Sequence, residues 1–285
     1  MTKKKLNRWD LLKLKQNDEQ AVWVTAYDYI TAQLAERCGI DMLLVGDSLG
    51  MCIYGYDGTI PVTMDQCIYH CEAVRRAAPN TFIIGDMPFG SYQISSQDAV
   101  ANAIRFHKEA GVDAVKLEGG HTVTDVITAI ANSGMLVMGH LGLTPQSSNA
   151  LGGFKAQGLT ADTAIDVIKD AREVYEAGAF AILIEGVPPE VTKIIKDEIP
   201  VPIYSIGAGI HADGQLMIIS DLVGHFQAFT PKFVKRYGDV AGEIKKSVTA
   251  YIDDVKSGQF PEEKHCYRMK PGEPEKLEEL LKEKR

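Results

Sequence analysis

The sequence predicts an α/β chain closed into one (β/α)8 barrel, a TIM barrel with an N-terminal capping helix. Three observations predict it. Short aliphatic runs of strand length alternate along the chain with stretches of helical periodicity. Runs such as Met42-Leu43-Leu44-Val45-Gly46-Asp47 and Ala181-Ile182-Leu183-Ile184-Glu185 are apolar throughout, as strands buried on both faces of a parallel sheet are. The runs close on ionisable residues, among them Asp28, Asp47, Asp86, Glu118, His140, Glu185 and Asp221. In a closed parallel barrel those ends converge on one mouth, so carboxylates far apart in the chain become neighbours. Such a pocket suits a hard cation.

Each element follows in order. Residues 9–15 carry apolar residues at helical spacing and are expected to cap the bottom of the barrel. A first strand over 21–28 leads to a helix over 30–37 that stops at Gly39, a natural left-handed cap. The second strand starts at Asp41. The unit then repeats: helix 64–78 into strand 81–86, helix 97–110 into strand 114–118, helix 123–131 into strand 135–140, and helix 161–177 into strand 179–185. Helix 189–196 precedes strand 202–207, and a last strand over 216–221 completes the eight. The connections 48–63 and 141–159 are long. Gly142, Gly152, Gly153 and Gly158 suit the second either to move as a lid or to pack irregularly over the mouth. A helix from Phe233 and another through 243–255 would finish the outer ring, and 274–284 reads as a charged helix with proline at its first position. Residues 1–285 thus read as a single barrel domain, with 267–285 a peripheral helical extension.

Composition narrows the function classes. The 285 residues, 45% hydrophobic, suffice for one such barrel. With 30 Lys+Arg against 38 Asp+Glu, the formal charge of −8 argues against nucleic acid and anionic membrane as partners. No apolar stretch is long enough to span a bilayer, and residues 1–5 lead into the chain without an apolar leader, so a cytoplasmic protein is expected. Five cysteines without framework spacing read as reduced thiols. Cys67, His70 and Cys71 share helical spacing but lack a fourth ligand, and read as one small-residue helix face rather than a zinc set.

The chemistry sits at the strand ends. Asp47 and Asp86 close consecutive strands, and their oxygen donors either hold Mg²⁺ or cap the following helices. Alternation sends Lys116 and Glu118 to the same face of their strand, the interior. An interior lysine needs an anion: Glu118, an aspartate, or a substrate carboxylate. His140, flanked by glycines, either donates to a substrate oxyanion or is a satisfied core histidine. Glu185 ends an aliphatic strand, where a carboxylate can act as a general base or merely cap a turn. Removing a proton beside a metal-polarised carbonyl is the matching reaction.

Across these runs, from Thr25-Ala26-Tyr27-Asp28 through Gly46-Asp47-Ser48-Leu49-Gly50, Lys116-Leu117-Glu118-Gly119-Gly120 and His140-Leu141-Gly142-Leu143-Thr144-Pro145-Gln146 to Gly207-Ala208-Gly209 and Phe229-Thr230-Pro231-Lys232-Phe233, the chain resembles the ketopantoate hydroxymethyltransferase family. The resemblance implies a barrel of the phosphoenolpyruvate/pyruvate type. It also implies a homo-oligomer, typically a decamer, that uses Mg²⁺ and the co-substrate 5,10-methylenetetrahydrofolate. Transfer of a hydroxymethyl group to 3-methyl-2-oxobutanoate would give 2-dehydropantoate, for pantothenate and coenzyme A biosynthesis, by way of a Mg-stabilised enolate. Position by position, it implies that Asp47 and Asp86 bind the metal, with Glu118 close by and acting through water. Ser48, Lys116 and His140 hold the 2-oxo acid, and Glu185 is the base. The tail from Tyr267 is longer than expected for the family. Two rivals are a Mg²⁺-dependent lyase or mutase on the same scaffold, with Cys52 in the long loop as its thiol, and a non-catalytic barrel that binds a small acid.

Overall fold

A computed structural model of the chain describes residues 4–284. The absence of an apolar leader, read partly from residues 1–3, lies partly outside the described residues. Eight parallel strands close in sequence order: β1 (Ala21–Thr25), β2 (Met42–Val45), β3 (Phe82–Asp86), β4 (Ala114–Glu118), β5 (Leu136–Gly142), β6 (Ala181–Glu185), β7 (Ile203–Ile206) and β8 (Gly214–Met217). Pairing of Ala21 with Gly214 and of Val24 with Met217 shuts the ring. The helices are α1 (Arg8–Gln16), α2 (Tyr29–Arg37), α3 (Leu49–Cys52), α4 (Met64–Ala77), α5 (Ser96–Ala110), α6 (Thr124–Asn132), α7 (Ser148–Leu151), α8 (Ala161–Glu176), α9 (Pro189–Glu198) and α10 (Ile219–Leu222). Residues 4–238 form this compact unit. Residues 239–284 form a second, which holds α11 (Val240–Ser257) and α12 (Glu273–Glu283) and buries none of its side chains.

Strand alternation splits the core into two layers. Trp23, Met42, Leu44, Phe82, Ile84, Met138, Leu183 and Tyr204 fill the interior of the barrel. The intervening residues, such as Leu43, Ile83, Val115, Val137 and Ile182, pack outward against Phe106, Ile127 and Val174 of the helices. Each such side chain contributes roughly 1.5–3 kcal/mol by leaving water, so a one-residue slip of any strand exchanges both layers and is strongly disfavoured. This register fixes the site. Asp86 stands beside Lys116, and Glu118 beside His140.

The N-terminal cap is present: α1 starts at an Asn7–Asp10 capping box, buries Leu11 in the interior layer, and its Lys15 Nζ lies 2.9 Å from Asp213 Oδ2 just before β8. Three local expectations need correction. Asp28 does not reach the mouth as a strand end, because β1 stops at Thr25 and the Asp28 carboxylate caps α2 through Thr31 N–H (2.8 Å) and Thr31 Oγ1 (2.7 Å). The eighth strand runs 214–217 rather than 216–221. Asp213 anchors its start, accepting from Ile203 N–H, while Thr25 Oγ1 accepts from Ile219 N–H and turns the chain into α10, which therefore carries Asp221. No helix starts at Phe233; Pro231 begins a tight turn there, and the Phe233 ring lies so close over Gly207 that a Cβ on Gly207 would sit 2.5 Å from it. Both long connections carry short helices, α3 and α7. On α4, Cys67 and Cys71 pack in the core with thiols that burial pushes up, whereas His70 leaves that face to bond Tyr54 and the Tyr27 carbonyl.

Candidate active site at the barrel mouth

Asp47, Ser48, Lys116, Glu118, His140 and Glu185 line one cavity of about 860 Å³ at the C-terminal ends of the strands. Asp86 sits against it, bonded to Asp47 and Lys116. All seven sequence-predicted site residues therefore meet. The two acids of consecutive strands interlock, since Asp47 N–H donates to Asp86 Oδ2 at 2.9 Å. The Lys116 ammonium lies 2.7 Å from Asp86 Oδ1 and 3.7 Å from Glu118 Oε1. From there the chain of contacts continues across three strands: His140 Nδ1 is 3.3 Å from Glu118 Oε1, and His140 Nε2 is 3.1 Å from Glu185 Oε2. Ser48 Oγ shares a 2.8 Å hydrogen bond with Tyr27 OH.

Glu185 is placed by a backbone feature. At Gly142, φ is +88°, and a Cβ there would stand 2.3 Å from the Glu185 carbonyl oxygen. Only glycine lets β5 approach β6 this closely while turning left-handed. Glu185 Oε1 has no hydrogen bond among the described residues, and Glu185 lines the cavity.

The charges are unevenly matched. Burial, and then the Asp86 and Glu118 carboxylates, push the Asp47 carboxyl well up, against the pull of Lys116 and a hydrogen bond from Gln146. Burial raises Asp86 too, with Lys116 opposing. Glu118 goes the other way: burial would raise it, but the bond from His140 and the Lys116 charge bring it down. Burial and the Lys116 charge pull the His140 imidazole down, yet the carboxylates of Glu118 and Glu185 outweigh them, and it is pushed up to about 9. Lys116 likewise loses to burial but gains more from Asp86, Glu118 and Asp47, so it holds its proton.

Three acids around one ammonium, one of them driven toward neutrality by burial and by its acidic neighbours, form an oxygen-only donor set that fits a hard divalent cation. Among the described residues, the group of His, Asp and Glu whose ligand atoms all fall within 4.8 Å of one another is a different one, His121, Asp170 and Glu173. Asp47, Asp86 and Glu118 do not close to that spacing, and the Lys116 ammonium contacts both Asp86 and Glu118.

Sequence reasoning missed what holds the acids in place. Gln146, on the connection after β5, donates from Nε2 to Asp47 Oδ2 (2.8 Å) and to the Met87 carbonyl (3.0 Å), while its backbone N–H donates to Glu118 Oε2 (2.9 Å). Tyr92 O–H donates to Gln146 Oε1 at 2.6 Å and accepts from Glu118 N–H. Gln146 closes the His140-Leu141-Gly142-Leu143-Thr144-Pro145-Gln146 run, and an amide ending that motif was the available signal. Cys52 lines the cavity, but burial raises its thiol by more than the hydrogen bond from Ser220 Oγ (3.3 Å) lowers it, the opposite of an activated nucleophile.

Comparisons with known proteins give the family and the fold. A family model described as ketopantoate hydroxymethyltransferase matches residues 5–263. The chain is 58% identical over 280 residues to the 3-methyl-2-oxobutanoate hydroxymethyltransferase of Alkaliphilus metalliredigens, covering 98% of this chain and 99% of that one. It is 47% identical over 261 residues to the protein of the same name from Carboxydothermus hydrogenoformans, covering 92% and 95%. In fold it is similar to a phosphonopyruvate hydrolase solved with oxalate and Mg²⁺ (TM-score 0.59, 12% identity, 97% of each chain). A 2,3-dimethylmalate lyase gives the same TM-score at 16% identity over 96% of each chain. Among the described residues no helix is long and apolar enough to cross a membrane.

Proposed function

The chain belongs to the ketopantoate hydroxymethyltransferase family, and on that premise we propose that its barrel mouth moves a one-carbon unit from 5,10-methylenetetrahydrofolate to 3-methyl-2-oxobutanoate, giving 2-dehydropantoate for pantothenate biosynthesis. The observation that carries the reading is the linked row Asp86, Lys116, Glu118, His140 and Glu185, in which a cluster of acids around an ammonium is joined to the Glu185 carboxylate at one cavity.

Asp47 and Asp86 would hold Mg²⁺, with Glu118 acting through water. Bound there, the ion supplies a Lewis acid that stabilises negative charge growing on the oxo acid. Lys116 and the cationic His140 pair with the substrate's oxygen atoms, and Ser48, fixed by Tyr27, donates a further hydrogen bond. His140 holds Glu185 Oε2, which leaves Oε1 to take the proton from C3. The carbanion so formed attacks the methylene carbon of the folate. A C–C bond forms at the methylene carbon, its bonds to N5 and N10 of the folate break, water supplies the hydroxyl group, and the C3 proton and the remaining water proton end on the two nitrogens as tetrahydrofolate leaves. The family resemblance also supports a homo-oligomer, a decamer, and a cytoplasmic setting; light scattering measures the first.

The test is turnover of 3-methyl-2-oxobutanoate with methylenetetrahydrofolate. Product formation that requires Mg²⁺ and stops with chelator is the expected result. Turnover untouched by chelator would remove the metal from the reading, and no turnover with the folate would remove that donor.

A further inference from the structure

One acid of the cavity has no part in the chemistry above. Asp221 on α10 is only 4% exposed and lines the cavity. Among the described residues, its carboxylate makes no hydrogen bond or ion pair. The nearby donors are directed elsewhere: Ser220 Oγ to Cys52, and Arg236 Nη2 to Thr230 Oγ1 and the Phe226 carbonyl. Burial raises its pKa, opposed only by the charge of Arg236. A carboxylate withdrawn from water without a partner is costly, so the position asks for a ligand that brings donors.

The oxo acid cannot be that ligand. It offers acceptors, a carboxylate and a keto oxygen, and an apolar isopropyl group. Its polar partners Lys116 and His140 stand on β4 and β5, and in the closed ring of eight strands β4 lies opposite β8, after which α10 follows. The cavity also exceeds what a five-carbon acid fills. Pockets for drug-sized ligands run roughly 300–1,000 Å³, and this one is about 860 Å³. Besides Asp221, the cavity is lined by the apolar side chains of Leu216, Ile218, Phe226, Phe229 and Phe233.

From this juxtaposition we infer that Asp221 is the recognition residue for the pterin head of the one-carbon donor, its two oxygens accepting the ring N–H and the exocyclic amino group while the phenylalanines flank the ring. The inference rests on the reading that the donor is a folate. A carboxylate and a fused amidine meet through two parallel hydrogen bonds, which gives orientation as well as affinity. No other part of either reactant presents paired donors.

The experiment measures tetrahydrofolate binding to the full-length enzyme and to Asp221→Asn by calorimetry, alongside solvent exchange of the C3 proton of 3-methyl-2-oxobutanoate, which needs no folate. Loss of a charged double hydrogen bond should weaken tetrahydrofolate by roughly 10- to 100-fold. C3 exchange should stay within about twofold. Equal tetrahydrofolate affinity in both proteins overturns the role of Asp221 and leaves the folate donor standing. Parallel loss of exchange and folate binding marks Asp221 as structural and also overturns it. A wild-type enzyme that exchanges the C3 proton but does not bind tetrahydrofolate overturns the folate reading, and this inference with it.

Discussion

At the scale of single residues, the mouth is a row of charges each of which needs the next. Replacing Glu185 by Gln keeps the volume and the contact with His140 but removes the base, so C3 proton exchange should fall by at least about 100-fold. Binding of the oxo acid and Mg²⁺ should persist; isotope exchange followed by NMR reads the first, calorimetry the second. Lys116→Met leaves Asp86 and Glu118 facing each other without their ammonium. The fold should lose about 3–5 kcal/mol at neutral pH, the cost of breaking a buried pair, and thermal shift should show Mg²⁺ restoring much of it. Gln146→Leu strands Asp47 Oδ2 and leaves Tyr92 O–H only its longer bond to the Glu118 carbonyl. Chemical denaturation should report a loss of about 1–3 kcal/mol for the groups left unbonded. These roles were unequally legible in the sequence. Asp47, Asp86, Lys116, Glu118, His140 and Glu185 stood out because each interrupts an aliphatic run. Gln146 and Tyr92 did not, since they reach the acids from connections whose course depends on tertiary contacts.

At the scale of elements, strands were readable because a strand buried on both faces must be apolar, and the boundaries failed where side chains end them. Thr25 and Asp28 stop β1 and open α2, Asp213 starts β8 early, and Phe233 replaces an expected helix by packing on Gly207. None of these leaves a periodic trace. The β5–β6 approach at Gly142 makes a sharp prediction. Gly142→Ala places a methyl group against the Glu185 carbonyl at a left-handed φ. Strain of order 1–3 kcal/mol should appear in the melting temperature, and kcat should fall more than KM rises because Glu185 is displaced. On α10 the pH dependence has a definite sign. The folded-state pKa of Asp221 lies above its ordinary value of 3.8, so Asp221 favours the fold most at low pH and loses that contribution as pH rises through the folded-state pKa. Asp221→Asn should therefore melt higher than the wild type at pH 7, and the gap should narrow as pH falls toward 4.

At the scale of the whole molecule, the closed ring makes the site a property of all eight strands rather than of any motif. Residues from β2 to β6 touch one another only because the register sets Asp86 beside Lys116 and Glu118 beside His140. The same ring leaves one continuous cavity of about 860 Å³ rather than two compartments. Its size has a kinetic consequence. The candidate parking places for a formaldehyde-level carbon are closed, the Cys52 thiol by burial and the Lys116 ammonium by its ion pairs. The transferred carbon can never wait on the protein between one reactant's departure and the other's arrival. Both reactants must be aboard together, and double-reciprocal plots at several fixed folate concentrations should intersect; a parallel set would reveal a covalent stopover.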